Sequence, residues 1–395
     1  MPSITFDLET VTPLFLAGAD RATAELRPPT FRGALRYWFR AIAASITTFD
    51  EVKKWENKVF GSTDACGAVI IRVQAEKTTS IKFLARDRDN DWLGLSYLLF
   101  SMYKGGSKEA RACFPPGSRF KVILQTRLSR QEDLQCLHLA IGAMCLLVNL
   151  GSVGSRSNRG GGNIKVNQYQ FKNIELEQIK FQTQDTNLNA LPSKLTAQIT
   201  SVKHLYPNII SHKTISLPPI ADFDILHRNT VNIYLWQLEN SGDNDCWDEL
   251  LDNFGIKYQN FRRRYKQATY DDYSQVKNWI KTRGKTSLAT VKRAAFGLPI
   301  EFYFTSLPKP NNTASLKANN DVNRSASPLH FKILPLADEE FAILLIYFKT
   351  KLIQNKGSLV LTNKNIHQRI QFPAPNQSII DEFIATLSLT GVIVP

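Results

Sequence analysis

Between Ile4 and Glu9, apolar Ile4, Phe6 and Leu8 alternate with Thr5, Asp7 and Glu9, so residues 4–11 predict a half-buried strand. The apolar period then lengthens. Leu35, Trp38, Phe39, Ile42 and Ile46 recur at helical spacing, and Thr30 stands where an N-cap belongs, which predicts a helix over 30–46. Residues 69–73 and 119–128 read as strands. Residues 134–150 are apolar over too long a stretch for a strand and predict a largely buried helix. A strand over 164–174 follows a glycine-rich segment. The order strand, helix, strands, helix, loop, strand suits a split βαβ, ferredoxin-like domain.

The stretch 182–189 is polar and poor in apolar residues, so the chain divides there into 1–185 and 186–395. The second part predicts helices over 191–205, 247–267, 273–281 and 378–387, and strands over 231–238, 300–305, 329–334 and 341–348. Residues 309–323 are rich in Asn, Ser and Lys and predict a mobile loop. The mixture of elements gives an α+β class.

Composition sharpens this picture. At 395 residues and 43% hydrophobic content the chain can bury real cores. Its 49 basic and 35 acidic residues leave a formal charge of +14, which favours a polyanionic partner. Charge alone leaves DNA, RNA and an anionic membrane open. No run of eighteen apolar residues predicts a membrane span, and the N-terminus lacks the basic start and apolar run of a signal peptide. The five cysteines are scattered and form no C-x-x-C pair, so neither a zinc site nor a disulfide framework is expected. A reducing cytoplasm follows as the expected location, with no membrane partner.

Two clusters carry the candidate chemistry. Arg32, Arg36 and Arg40 recur every four residues on one helix face, with Arg21 and Arg27 upstream and Gly33 leaving room for close approach. A cation in a helix's first turn is disfavoured, and an incoming phosphate would reverse that penalty and use the free amides there. The competing reading is a solvated face whose arginines pair with acids elsewhere. The second cluster is the segment 149–163, where five glycines, three serines, Arg156 and Arg159 follow the apolar stretch. Glycine permits positive φ, so Gly154 and its neighbours can turn amides toward an anion, and the two guanidinium forks suit phosphate. A flexible linker is the alternative. The lysine of a P-loop is missing, and the segment follows a helix rather than a strand, which excludes a dinucleotide fingerprint.

From Lys257 to Arg293 there are eleven basic and two acidic residues, with Phe261, Tyr265, Tyr270, Tyr273 and Trp279 interleaved. Such a mixture suits nucleic-acid binding, although helical aromatics belong mostly to packing. Some of Arg262, Arg263 and Arg264 must face solvent or RNA. No histidine lies in the arginine helix or the glycine loop, and His138 sits in an apolar helix as a core residue. Asp222 and Asp224 read as solvated. No catalytic residue, metal ligand or cofactor site is assigned.

The segments 12–20 (TPLFLAGAD) and 25–40 (ELRPPTFRGALRYWFR) resemble the opening of the first-numbered RAMP-superfamily subunit of the Cmr module of type III-B CRISPR systems. The glycine loop, the segment 292–299 (KRAAFGLP) and the segment 324–329 (RSASPL) fit the same family. Asn158 stands where that family's loop is expected to carry another basic residue. The resemblance implies two tandem ferredoxin-like (RRM-like) domains with inserted loops: 1–185 with the glycine-rich loop, and 186–395 with a basic helical insert.

The resemblance also implies a non-catalytic RNA-binding subunit that caps the effector filament at the guide RNA 3′ end and helps capture target RNA. Its partners would be guide and target RNA and the other RAMP and large subunits. Arg27, Arg32 and Arg36 would touch the sugar-phosphate backbone; Gly154, Arg156 and Arg159 would clasp it; Lys292, Arg293 and Arg324 would do the same in the second domain. Two alternatives stand beside this reading. One is a metal-independent RAMP endoribonuclease that processes guide RNA, which needs a histidine or tyrosine beside the phosphate loop. The other is a cap that contacts protein alone.

Overall fold

The computed structural model describes the chain outside residues 19–22, 84–91, 104–108, 182–185, 212–214, 239–245, 263–270, 320–323, 338–339, 354–356, 364–366 and 394–395. Arg21, Arg263, Arg264, Tyr265, Tyr270 and the start of the stretch at which the sequence divides therefore lie outside the described residues.

The first part of the chain runs β1 (Ser3–Thr10), α1 (Pro28–Ala43), α2 (Phe49–Phe60), β2 (Val69–Lys77), β3 (Ile81–Lys82), α3 (Leu93–Leu98), β4 (Ala112–Cys113), β5 (Arg119–Thr126), α4 (Gln131–Leu150) and β6 (Ile164–Lys172), and α5 (Leu191–Leu205) follows the stretch at which the sequence divides. The sheet order β2-β5-β1-β6, antiparallel throughout, is ferredoxin-like. The second part runs β7 (Val231–Trp236), α6 (Trp247–Arg262), α7 (Asp272–Lys281), β8 (Ile300–Tyr303), β9 (Thr313–Ala318), β10 (Leu329–Pro335), β11 (Phe341–Phe348), β12 (Leu359–Asn363), β13 (Gln368–Phe372), α8 (Ser378–Ala385) and β14 (Leu389–Ile393). Its main sheet, β10-β11-β7-β14, repeats the same strand plan. A third sheet, β13-β12-β9-β8, is assembled from the two crossovers of that second unit.

The alternation of each strand decides how these layers stack. Ile233, Leu235, Leu344 and Ile346 enter the core that also holds α1, α4, α5 and the inner face of the first sheet. Their neighbours Trp236, Ile343, Leu345 and Tyr347 enter a second core with α6 and α8. The second sheet is thus covered on both faces, which is why β7 and β11 read as nearly continuous apolar runs. Helix α4 is long and apolar enough to cross a membrane, but 83% of that window is buried inside the fold as a core helix between the sheets. Each large side chain buried this completely, such as Phe39 or Leu137, contributes about 1.5–3 kcal/mol.

The first unit reaches the second through α3, which crosses α6 where Gly94 meets Gly255; a Cβ on Gly255 would stand 2.3 Å from the Gly94 carbonyl oxygen. Asp252 of α6 accepts the Leu95 amide at 2.8 Å and so caps α3.

Two expectations are corrected. Helix α1 begins at Pro28, with Arg27 in extended conformation at its N-cap and Thr30 already inside. Prolines 28 and 29 supply no N–H, so this helix start lacks two of the free amides the sequence reading assigned to a phosphate. The stretch 309–323, read as a loop, contains β9, whose Ala314, Leu316 and Ala318 are buried against the third core. Small alanines alternating with Lys and Ser hid a strand in the interior of its sheet.

Candidate nucleic-acid interface

A cleft of about 610 Å³ opens where α1, the segment after β1, the glycine loop and β10 converge. Its α1 wall carries Thr30, Gly33 and Tyr37, and its opposite wall carries Gly154, Ser157 and Asn158. Gly33 is exposed, and nothing stands within 4 Å of the place a Cβ would take. This leaves the α1 wall open to close approach.

The glycine loop folds back on itself. Val153 donates to the Gly162 carbonyl at 2.9 Å, and Gly162 to Pro13 at 2.9 Å, so its two ends are pinned together beside the start of the chain. Gly154 has φ +88°, a value that favours glycine, and Arg156 adopts a left-handed φ of 60° despite its side chain. A 3₁₀ turn, Ser157–Arg159, follows. Among the described residues no acceptor faces the amides of Gly154, Ser157 and Asn158. Open N–H groups beside left-handed residues form the concavity that binds anions. The guanidinium of Arg156 reaches Ser101 at 3.5 Å; burial first, then neighbouring Arg159, pulls its pKa below the usual arginine value. A bound anion would relieve both effects.

The other predicted residues divide between surface and interior. Arg27 is exposed, with Glu25 3.9 Å away, and Arg324 is exposed. Arg32 keeps a buried Nε without a hydrogen-bond partner. Arg36 and Arg40 instead share one acid: their guanidiniums lie 2.6 and 2.8 Å from Glu56 of α2. The stripe therefore splits, and its lower half is neutralised in part by a helix the sequence reading missed. Arg159 turns inward. It sits 5.0 Å from the Tyr258 ring and 5.1 Å from the Phe331 ring and donates to the Phe296 carbonyl at 3.3 Å. Arg293 is also drawn in, with Asp272 at 3.7 Å and the Phe302 ring at 5.3 Å. The Lys292 and Arg293 amides both donate to the Asp272 carboxylate, so this turn is built around a buried acid. Both arginines were expected at phosphate; in the fold, aromatic surface and a buried carboxylate from non-adjacent elements touch them. Phe261 and Trp279 are core residues, as expected of helical aromatics, and Arg262 lies over Tyr97, Tyr258 and Phe296.

Four successive residues of β10 reach the glycine loop at four points. His330 Nε2 lies 3.0 Å from Asn158 Nδ2, and Phe331 carries Arg159. Lys332 Nζ donates to the Gly151 carbonyl at 2.6 Å, and the Ile333 amide donates to Asn163 Oδ1 at 2.5 Å. Asn163 also donates to Ser152 at 2.5 Å. Burial lowers the His330 pKa, which keeps the ring neutral, and burial lowers Lys332 to about 7. One residue hinted at this. Asn158 replaces an expected cation, and a cation there would face His330 and Arg159.

Tyr37 lines the same cleft and donates to Asp224 at 2.7 Å; burial, then Asp224, raises its pKa. Asp224 is thus a partner of α1, where the sequence suggested a solvated turn. His138 lies in α4 with its Nε2 buried and unpartnered, and burial lowers its pKa.

Residues 7–165 match the sequence model of the RAMP superfamily. Over 355 residues the chain is 28% identical to CRISPR system Cmr subunit Cmr1-1 of Pyrococcus furiosus, covering 87% of each protein. Subunit Cmr1-2 of the same organism is 29% identical over 181 residues, 41% of this chain and 93% of that protein. The crystal structure of apo Cmr1 from Pyrococcus furiosus superimposes with a TM-score of 0.60 at 21% identity, covering 99% of this chain and 98% of that one.

Proposed function

We propose, on the premise that this chain is a RAMP-superfamily protein related to the Cmr1 subunits, that it is a non-catalytic RNA-binding subunit of a type III-B CRISPR effector complex. In that role it caps the filament at the guide RNA 3′ end and helps capture target RNA, beside the other RAMP and large subunits. The observation that carries this reading is the glycine loop: Gly154, Ser157 and Asn158, whose amides are open, line a cleft, and Arg156 of the same turn sends its guanidinium toward Ser101. Main-chain donors and a guanidinium contact phosphates whatever the base, so sequence choice falls to guide pairing. Of the predicted arginines among the described residues, Arg27, Arg32, Arg156 and Arg324 are the ones offered to the backbone. Arg36 and Arg40 reach it only by sharing their charge with Glu56, while Arg159 and Arg293 act from within. Crosslinking of RNA to the assembled complex tests this. Crosslinks at 154–158 and near Arg27 are expected, and a map that leaves both bare overturns the reading.

One observation favours the endoribonuclease alternative: His330 and Tyr37 both line the cleft. Both are committed elsewhere, His330 to Asn158 and Tyr37 to Asp224, and His330 is only 6% exposed. A general base needs reach to the 2′-hydroxyl it deprotonates, and a buried, engaged imidazole lacks it. Incubation with repeat RNA in EDTA should give no cleavage; site-specific cutting lost in His330→Ala would establish the enzyme.

A further inference from the structure

The open amides of the glycine loop exist only because the loop is held in one shape. Glycine-rich backbone left to itself samples many conformations, and ordering it costs entropy. Internal hydrogen bonds close its ends, and the Arg156 carbonyl accepts from Arg159 and Gly161 within the tip; contacts from outside add to both the tip and the junction with α4. Phe15 accepts from the Ser155 amide and Ser101 from Arg156, and four further outside contacts come from successive residues of one strand of the second domain. His330 holds the tip at Asn158, Phe331 receives Arg159, Lys332 holds Gly151, and Ile333 holds Asn163.

Lys332 stands apart within this set. The outward face of β10 turns toward the first unit, and Lys332 is 2% exposed there. Its Nζ meets the carbonyl of Gly151, the residue that caps the end of α4 and starts the loop. A helix C-terminus gathers partial negative charge and unsatisfied carbonyls, which suits a buried amine. A methionine would fill the same volume without the desolvation cost, so packing alone does not call for lysine at this position.

We propose that β10 of the second domain shapes the RNA-gripping loop of the first, with Lys332 as its positioning residue. This rests on the loop being the RNA grip. Binding competence is then a property of the docked pair of domains. Lys332 itself touches no RNA; it acts through the place it gives Gly151 and the amides that follow.

The test uses the full chain and hydrogen exchange resolved to peptides, together with affinity for single-stranded RNA. Lys332→Met removes the donor at similar volume, and Lys332→Gln keeps one. Exchange across 151–163 should accelerate at least tenfold in Lys332→Met while β11 stays protected. RNA affinity should fall at least tenfold, and Lys332→Gln should recover part of both. Should Lys332→Met fail to fold, Asn158→Ala, which frees only the loop tip, must show the same local acceleration and weakening. An unchanged loop, or a loosened loop with unchanged RNA affinity, overturns the proposal. If the unmodified chain binds no RNA, the functional reading falls by itself, and the exchange arm alone decides whether β10 positions the loop.

Discussion

The Arg159 guanidinium lies 5.0 Å from the centre of the Tyr258 ring, joining the glycine loop of one domain to a core helix of the other. On the opposite count Arg262 lies 5.3 Å from the same ring, so Tyr258 is attended by two cations. The arginine that the sequence offers as a phosphate clasp thus has, in the folded chain, aromatic and carbonyl partners from distant elements. Arg159→Ala should therefore lower stability by about 2 kcal/mol, from two cation–π contacts and a hydrogen bond. Lysine should not restore it, since it lacks the planar fork. Urea unfolding monitored through both domains checks this; a loss of RNA affinity with unchanged stability would return Arg159 to the RNA.

The α3–α6 crossing makes a second prediction. A Cβ on Gly255 would meet the Gly94 carbonyl oxygen at 2.3 Å, and backbone on both sides leaves little to yield. Gly255→Ala should cost about 1–3 kcal/mol or more, against the gain of helix propensity that alanine normally brings. A stabilised variant in denaturant titration would show that the two helices are not in this contact.

Lys332 gives a pH dependence with a definite sign. Unfolded, the amine keeps its proton to about pH 10.4. Folded, burial lowers its pKa to about 7. Between these values the unfolded chain holds more protons, so this group makes stability rise with pH, by up to about 1.4 kcal/mol per pH unit. Below the folded value both states are protonated and the slope from this group vanishes. The difference in stability between the native chain and Lys332→Met, followed from about pH 7 to about pH 9, should carry that slope; a flat difference would mean the amine is charged in the fold.

Glu56 receives Arg36 and Arg40 while only 9% of its side chain is exposed. Glu56→Gln should cost about 1–2 kcal/mol, moderated because both arginines retain solvent access. RNA affinity should not fall, because the change frees two cations. A weakened complex with unchanged stability would place Glu56 itself at the RNA interface.

Much of the fold was legible where one face of an element is apolar. The strands β1, β5 and β6 and the helices α1 and α4 follow directly from period two, period 3.6 and an unbroken apolar stretch. Helix α2 was missed because Lys53, Lys54, Glu56 and Lys58 dilute Val52, Val59 and Phe60. With it went the partner of Arg36 and Arg40, so the ion pair was invisible. Strand β9 was hidden by its small residues. The left-handed turn of the glycine loop was legible from its glycines alone. That Arg159 would turn inward was not, since Tyr258 and Phe331 come from the other domain. The strand over 329–334 was legible, but not the burial of its polar His330 and Lys332, which the stacking of the first unit on the second sheet produces.

Guanidiniums and open amides of this chain are proposed to hold RNA by its phosphates. The measurement that reaches this most directly is the salt dependence of affinity for single-stranded RNA, in the native chain and in the Arg27→Ala, Arg156→Ala double variant. Loss of two phosphate contacts should weaken binding for every sequence alike and flatten the slope of log K against log salt by about 1.4. The same slope and the same affinity in both proteins would contradict the account.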